Sequence, residues 1–140
     1  MAVQRTLAII KPDAVAKKHI GHIVSRVEAS GMRIVIMRMM RLTPEQARGF
    51  YHVHESRPFY EDLCAYMTSG PIVAMMLEGD NAIQRWREMI GPTDAAVAPP
   101  GTIRGDFGES LAINAVHGSD APSTARYEIE FFFNKEPRHP

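Results

Sequence analysis

Apolar strand-like runs alternating with amphipathic segments place this chain in the α/β class. Runs such as Thr6-Leu7-Ala8-Ile9-Ile10 and Ile72 to Leu77 are apolar throughout, as strands covered on both faces are. The segments between them repeat apolar residues at the spacing of a helix face. At 140 residues the chain is the length of one domain and can bury roughly two-thirds of its unfolded surface. Alternation of this kind, taken alone, predicts a parallel sheet with helices packed on it.

The first strand is Thr6 to Ile10, ended at Lys11-Pro12 because proline cannot continue a ladder. Ile20, Ile23, Val24 and Val27 recur at helical spacing, and Ser30-Gly31 closes that helix. Met32 to Leu42 is a long Ile/Val/Met-rich strand. Thr43-Pro44-Glu45-Gln46 starts a helix: an N-cap hydroxyl, proline at the first helical position and glutamine at the third. Ala47, Phe50, Tyr51 and His54 share the inward face of that helix. Phe59, Leu63, Tyr66 and Met67 carry the next one to Ser69-Gly70-Pro71. Ile72 to Leu77 is the third strand, and Asp80 caps a helix that Gly91-Pro92 stops at Ile90. Ala82, Trp86, Met89 and Ile90 form its apolar centre, with Arg85 and Arg87 on either side; periodicity does not choose between these two. Pro92 to Gly101 has no period, and Arg104 follows on a glycine-flanked turn. A short fourth strand within Leu111 to Val116 leads to His117, and a final helix runs from Ala121 to Phe133.

Lys plus Arg equals Asp plus Glu at 16 each, so no overall field favours nucleic acid or an acidic membrane. A polyanion site must then be a local gathering of cations. The lone Cys64 excludes an intrachain disulfide and fits a reducing cytoplasm. Met1 to Arg5 does not read as a signal peptide, and no apolar run reaches membrane-spanning length. The nine methionines read as core filler on strands.

Chemistry concentrates in Asn114-Ala115-Val116-His117-Gly118-Ser119-Asp120. A histidine there sits at a strand mouth just before a helix N-terminus, where Asp120 or Ser119 can cap and backbone N–H groups attract phosphate. Neutral imidazole is a competent nucleophile near pH 7. Its plain alternative is a strand-end histidine satisfying a backbone carbonyl. Lys11, at the end of a buried strand, is either held at the sheet's edge or a surface lysine with its stem buried. Glu128 shares a face with Ala125, Ile129 and Phe132, so it either has a buried partner or lies on a solvated edge. Phosphate loops of the G-x-x-x-x-G-K-S/T kind, dinucleotide glycine patterns, protein-kinase motifs and zinc-ligand spacings are all absent from the sequence.

Together, Ile9-Ile10-Lys11-Pro12-Asp13, Gly101-Thr102-Ile103-Arg104-Gly105-Asp106-Phe107 and the His117 segment resemble nucleoside diphosphate kinases, the bacterial type above all. The likeness spans Thr6 to Phe133, within a single domain of residues 1–140. It implies a ferredoxin-like βαββαβ fold, an α+β sandwich whose four-stranded sheet is antiparallel, with the helix pair between Pro44 and Ser69 as an addition. The implied reaction moves the terminal phosphate of a nucleoside triphosphate, mainly ATP, onto His117 and then onto a nucleoside diphosphate.

Residue by residue, the resemblance makes His117 the nucleophile and Glu128 the carboxylate that orients it, with Lys11 and Tyr51 completing the catalytic group. Arg87, Thr93, Arg104 and His54 match phosphate contacts. Lys11 and Asn114 match the groups on the sugar's 3′ hydroxyl, and Phe59 the aromatic that stacks on the base, with Leu63 beneath it. No protein-held metal is expected; Mg²⁺ arrives on the nucleotide phosphates. The implied partners are nucleoside di- and triphosphates and further copies of the chain, as tetramer or hexamer, with no membrane or specific nucleic acid, in a cytoplasmic setting. One departure touches assembly: Thr93-Asp94-Ala95-Ala96 stands where members commonly read Thr-Asn-Pro-Ala. The tail beyond Phe133 lacks the extension of many eukaryotic relatives. Two rivals remain in view. A ferredoxin-like nucleic-acid-binding module predicts an aromatic-rich strand, which is not found, and a basic face, which the neutral charge balance does not favour. A histidine phosphocarrier would pass phosphate to a protein instead of a nucleotide.

Overall fold

The computed structural model describes residues 3–134; Met1, Ala2 and the tail from 135 lie outside them. Strand β1 (Val3–Ile10) leads into the short helix α1 (Pro12–Ala16), then α2 (Ile20–Ala29) and strand β2 (Arg33–Met40). Helices α3 (Pro44–Phe50) and α4 (Tyr60–Met67) follow, joined through a 3₁₀ turn at His52–His54. Strand β3 (Ile72–Asp80), helices α5 (Ala82–Ile90) and α6 (Ile103–Phe107), strand β4 (Val116–Gly118) and helix α7 (Pro122–Ile129) complete the order. A π turn at Glu130–Asn134 continues α7.

The sheet has the order β2-β3-β1-β4, and all three pairings are antiparallel. The parallel sheet expected from alternation alone is therefore wrong, and the ferredoxin-like βαββαβ arrangement is right. Periodicity reports which faces are buried, not strand direction, so burial on both faces misled. Both faces are buried because helices cover each. Ala8 and Ile10 point into a core shared with Ala14, Ile23, Val27, Trp86 and Ile90, from α1, α2 and α5. Leu7 and Ile9 point the other way, into a core with Ala47, Phe50, Tyr60, Cys64 and Met67 from α3 and α4. The helix pair added between β2 and β3 is thus the lid of the second core.

Local details differ from expectation where tertiary packing intervenes. Thr43 and Gln46 do form the reciprocal capping box at the start of α3. That helix stops at Phe50, so His54 sits on the following 3₁₀ turn and not on the helix itself. Asp80 ends β3, and the cap position of α5 is Asn81 in a left-handed conformation (φ 51°), which asparagine tolerates. Arg104 stands on helix α6, not on an open turn. The Pro92–Gly101 segment is not wholly irregular either, since Asp94 Oδ1 accepts from Ala96 N (3.0 Å) and starts a 3₁₀ turn at Ala95–Val97. Met37 and Met39 are exposed because β2 is an edge strand, so not all methionines fill the core.

Strand β4 is shorter and later than predicted. It begins at Val116, contains His117, and pairs that residue with Ile9. Neither Ser119 nor Asp120 caps α7; Ala121 holds that position without a side-chain cap. Gly118 has a steric reason: a Cβ there would lie 2.6 Å from Trp86 Cδ1 and 3.3 Å from Ile90 Cδ1. Trp86 is fully buried and donates through Nε1 to the His117 carbonyl at 3.0 Å. Gly118→Ala should therefore cost about 1–3 kcal/mol in urea unfolding by overpacking a rigid ring. An unchanged midpoint would mean the indole has room to retreat.

Candidate active site

Antiparallel pairing brings the end of β1 beside the start of β4. Lys11 N donates to Ala115 O at 2.8 Å, one step beyond the Ile10–Val116 pair. Between Asn114 and Val116 the chain makes a tight three-residue turn, Val116 N reaching Asn114 O at 2.9 Å. Ala115 at its centre has φ 75°, a left-handed conformation that costs a non-glycine residue on the order of 1 kcal/mol. The bend leaves Asn114, a residue only 3% exposed, next to Lys11. Lys11 Nζ donates to Asn114 Oδ1 at 2.8 Å, and Asn114 Nδ2 donates to Thr93 O at 3.0 Å.

Arg104 approaches the same strand from α6. Its Nη1 donates to Gly91 O and its Nη2 to Val116 O, both at 3.0 Å, while its buried Nε has no partner. Arg87 is exposed in the last turn of α5 and lies near enough to repel Arg104. Arg85, the alternative periodicity left open, is spent elsewhere, donating to Asp80 O and Ser30 O. Burial and then Arg87 push the Arg104 guanidinium down to about 10. Burial first, then Arg104, push the Lys11 ammonium down to about 8, against an opposing pull from Asp13. Confined cations that repel one another favour an anion between them.

His117 lies on the opposite side of its strand from Val116, facing the core of α3, α4 and α7. Its Nε2 meets Glu128 Oε1 at 2.9 Å, and Ser119 Oγ donates to the same oxygen at 2.7 Å. An ionised carboxylate has no hydrogen to give, so Nε2 is the donor and Nδ1 keeps its lone pair. Among the described residues Nδ1 has no hydrogen-bond partner, and the side chain is 19% exposed. Phe50 stands edge-on to the imidazole at 5.4 Å between ring centroids. Tyr51 is buried beside Phe50 with its hydroxyl unpartnered, and burial, then Glu128 and Cys64, raise its pKa.

Contacts therefore tie Lys11, Asn114, Thr93, Arg104, His117, Glu128 and Tyr51 to one end of the sheet, with Arg87 at its rim. His54 and Phe59 form a separate outer group on the α3–α4 connection, with Leu63 beside Phe59 in the first turn of α4. There the His54 and Phe59 rings stand 5.6 Å apart, Phe59 is 47% exposed, and Leu63 N donates to Phe59 O at 2.9 Å. His54 N donates to Tyr51 O (2.8 Å), which links the two groups.

Ser119 and Phe50 were not singled out from the sequence as site residues. Strand alternation holds the signal for Ser119, since positions i and i+2 share a face and 119 follows 117. Among the described residues no set of three or more His, Cys, Asp or Glu converges as a metal site.

A family model described as nucleoside diphosphate kinase matches residues 4–137. The chain belongs to the nucleoside diphosphate kinase family. A nucleoside diphosphate kinase from Halorhodospira halophila is 57% identical over 136 residues, covering 97% of this chain and 96% of its own. One from Nitrosococcus oceani is 57% identical, with 97% and 95% covered. Among solved structures, the Aquifex aeolicus nucleoside diphosphate kinase superposes with a TM-score of 0.92 at 49% identity, covering 94% of this chain and 96% of that one. A Halobacterium salinarum nucleoside diphosphate kinase in complex with CDP gives 0.92 at 42%, covering 95% and 89%. As a member of this family the chain is a phosphotransferase enzyme of nucleotide metabolism.

Proposed function

We propose that this nucleoside diphosphate kinase carries the terminal phosphate of a nucleoside triphosphate, chiefly ATP, on Nδ1 of His117 and delivers it to a nucleoside diphosphate. The observation that carries this is the division of labour on the imidazole: Nε2 is committed to Glu128, and Nδ1 is left with a lone pair. No general base is needed, because that lone pair attacks without first losing a proton. As the P–N bond forms, the bond from the γ phosphorus to the bridging oxygen breaks, and the diphosphate leaves with its electron pair. The ring gains positive charge, which the Glu128 carboxylate offsets through Nε2–H. Ser119 holds that carboxylate in place.

Charge also develops on the phosphate, where Lys11 and Arg104 supply fixed donors, each of the order of 3 kcal/mol in the transition state. Arg87, Thr93 and His54 serve the remaining phosphate oxygens, and Asn114 with Lys11 the 3′ hydroxyl. Tyr51 borders the nucleophile. Phe59 offers an exposed ring face to the base and Leu63 supports it; stacking without edge recognition accepts any base. A divalent cation, Mg²⁺ by chemistry, enters as part of the nucleotide in this reading, its charge carried by the phosphates.

Residues 1–140 act as one domain in this reading, in the cytoplasm, where the buried Cys64 thiol stays reduced. The working form is a homo-oligomer, tetramer or hexamer. No helix among the described residues is long and apolar enough to cross a membrane.

Protein mixed with γ-labelled ATP should retain an acid-labile, base-stable label, and all of it should leave on addition of CDP alone. Retention of label until a second protein is supplied would favour the phosphocarrier reading instead.

A further inference from the structure

Asp13 takes no part in the reaction as described, yet it is bound into the site from behind. It lies in the first turn of α1, next to Pro12, and its Oδ1 accepts a hydrogen bond from the Tyr66 hydroxyl of α4. Its other oxygen, Oδ2, is buried with no partner. The Tyr66 ring carries Lys11 Nζ over it, 6.0 Å from the centroid. Lys11 is thus held by Asn114 Oδ1 on one side and an aromatic face on another. A carboxylate oxygen buried without a hydrogen-bond partner is costly unless a nearby cation offsets its charge.

We infer that Asp13, fixed by Tyr66, is a positioning residue that keeps the Lys11 ammonium charged and in place beside the crowded arginines. The inference rests on the reading that Lys11 serves the transferring phosphate. Its physical basis is a contest of charges. Burial and Arg104 both drive Lys11 toward its neutral form, and Asp13 is the group that opposes them. A neutral Lys11 would still donate a hydrogen bond, but it would no longer offset phosphate charge. Tyr66 prevents the carboxylate from turning toward solvent, and its ring adds a cation–π attraction to Lys11. The Lys11-Pro12-Asp13 spacing is part of the device, because proline fixes φ and sets the acid at the helix start just after the strand-end lysine.

The test is the pH profile of phosphate transfer from ATP to CDP, an acceptor whose base does not titrate in the alkaline range. In Asp13→Asn the alkaline limb should move down by about one pH unit, while the plateau rate on its acid side stays within a few-fold. Tyr66→Phe keeps the ring and releases the carboxylate, so its limb should move the same way by less; it carries the test should Asp13→Asn not fold. The ¹⁵Nζ signal of Lys11, assigned by its absence in Lys11→Met, should titrate lower by the same amount as the limb. A limb and a Lys11 titration that stay where they are in both variants overturn the proposal. Lys11→Met separates the two levels. Wild-type activity in that variant removes Lys11 from the phosphate site, whereas an inactive Lys11→Met with an unmoved Asp13→Asn limb removes only Asp13.

Discussion

His117→Ala is expected to lower steady-state phosphate transfer by roughly 10⁴- to 10⁶-fold, the scale seen when a covalent nucleophile is deleted. Its phosphoenzyme should vanish altogether. The fold should survive, because Glu128 keeps the Ser119 hydroxyl and Trp86 bonds a backbone carbonyl that alanine also has. Binding of nucleotide should change little, since the proposed phosphate and base contacts come from other residues. Equilibrium dialysis with CDP and a coupled assay would check both halves. A variant within tenfold of the wild-type rate would place the nucleophile elsewhere.

Lys11→Met should move activity and stability in opposite directions. Loss of the cation should reduce the rate about 10²- to 10³-fold, as removal of one well-aimed transition-state donor does. Stability should rise. The folded Lys11 holds its proton less tightly than the unfolded one, about 8 against 10.5, so its charged form opposes folding. That opposition is fully present below about pH 8 and fades as pH climbs toward 10.5, where both states are neutral. The difference corresponds to up to about 3 kcal/mol, less about 1 kcal/mol for Asn114 Oδ1 losing its donor. Urea unfolding should therefore show the variant more stable near neutrality, with the gap closing in alkali. A gap that is absent or reversed near pH 7 would mean that Lys11 is better solvated than its burial implies.

What the sequence revealed, and what it hid, follows from the range of each interaction. Local signals were accurate where local energetics decide, as in the Thr43–Gln46 box and the inward face of Glu128. Strand direction was illegible from pattern, because hydrophobic runs look alike in parallel and antiparallel sheets buried on both faces. The start of β4 was misplaced because Ala115 adopts a left-handed conformation that no alanine signals. Likewise Ser119 and Asp120 looked like helix caps, but Glu128, farther along α7, drew the Ser119 hydroxyl away. Periodicity does not separate Arg87 from Arg85, because what distinguishes them is long-range: Arg85 donates to the carbonyls of Asp80 and Ser30, the latter 55 residues away. Asp13 lies in the Ile9-Ile10-Lys11-Pro12-Asp13 segment, yet its partner Tyr66 is 53 residues away and nothing local points to it.

The pairing of Lys11 with Asn114 spans 103 residues of a 140-residue chain. Such a contact forms only after most of the intervening polypeptide has been gathered, because closing so long a loop is entropically unfavourable until the rest is in place. Lysine and asparagine therefore meet only in the finished molecule. A chain caught midway through synthesis or refolding therefore holds Lys11, Thr93 and Asn114 apart, and the hydrogen bonds that join them close last.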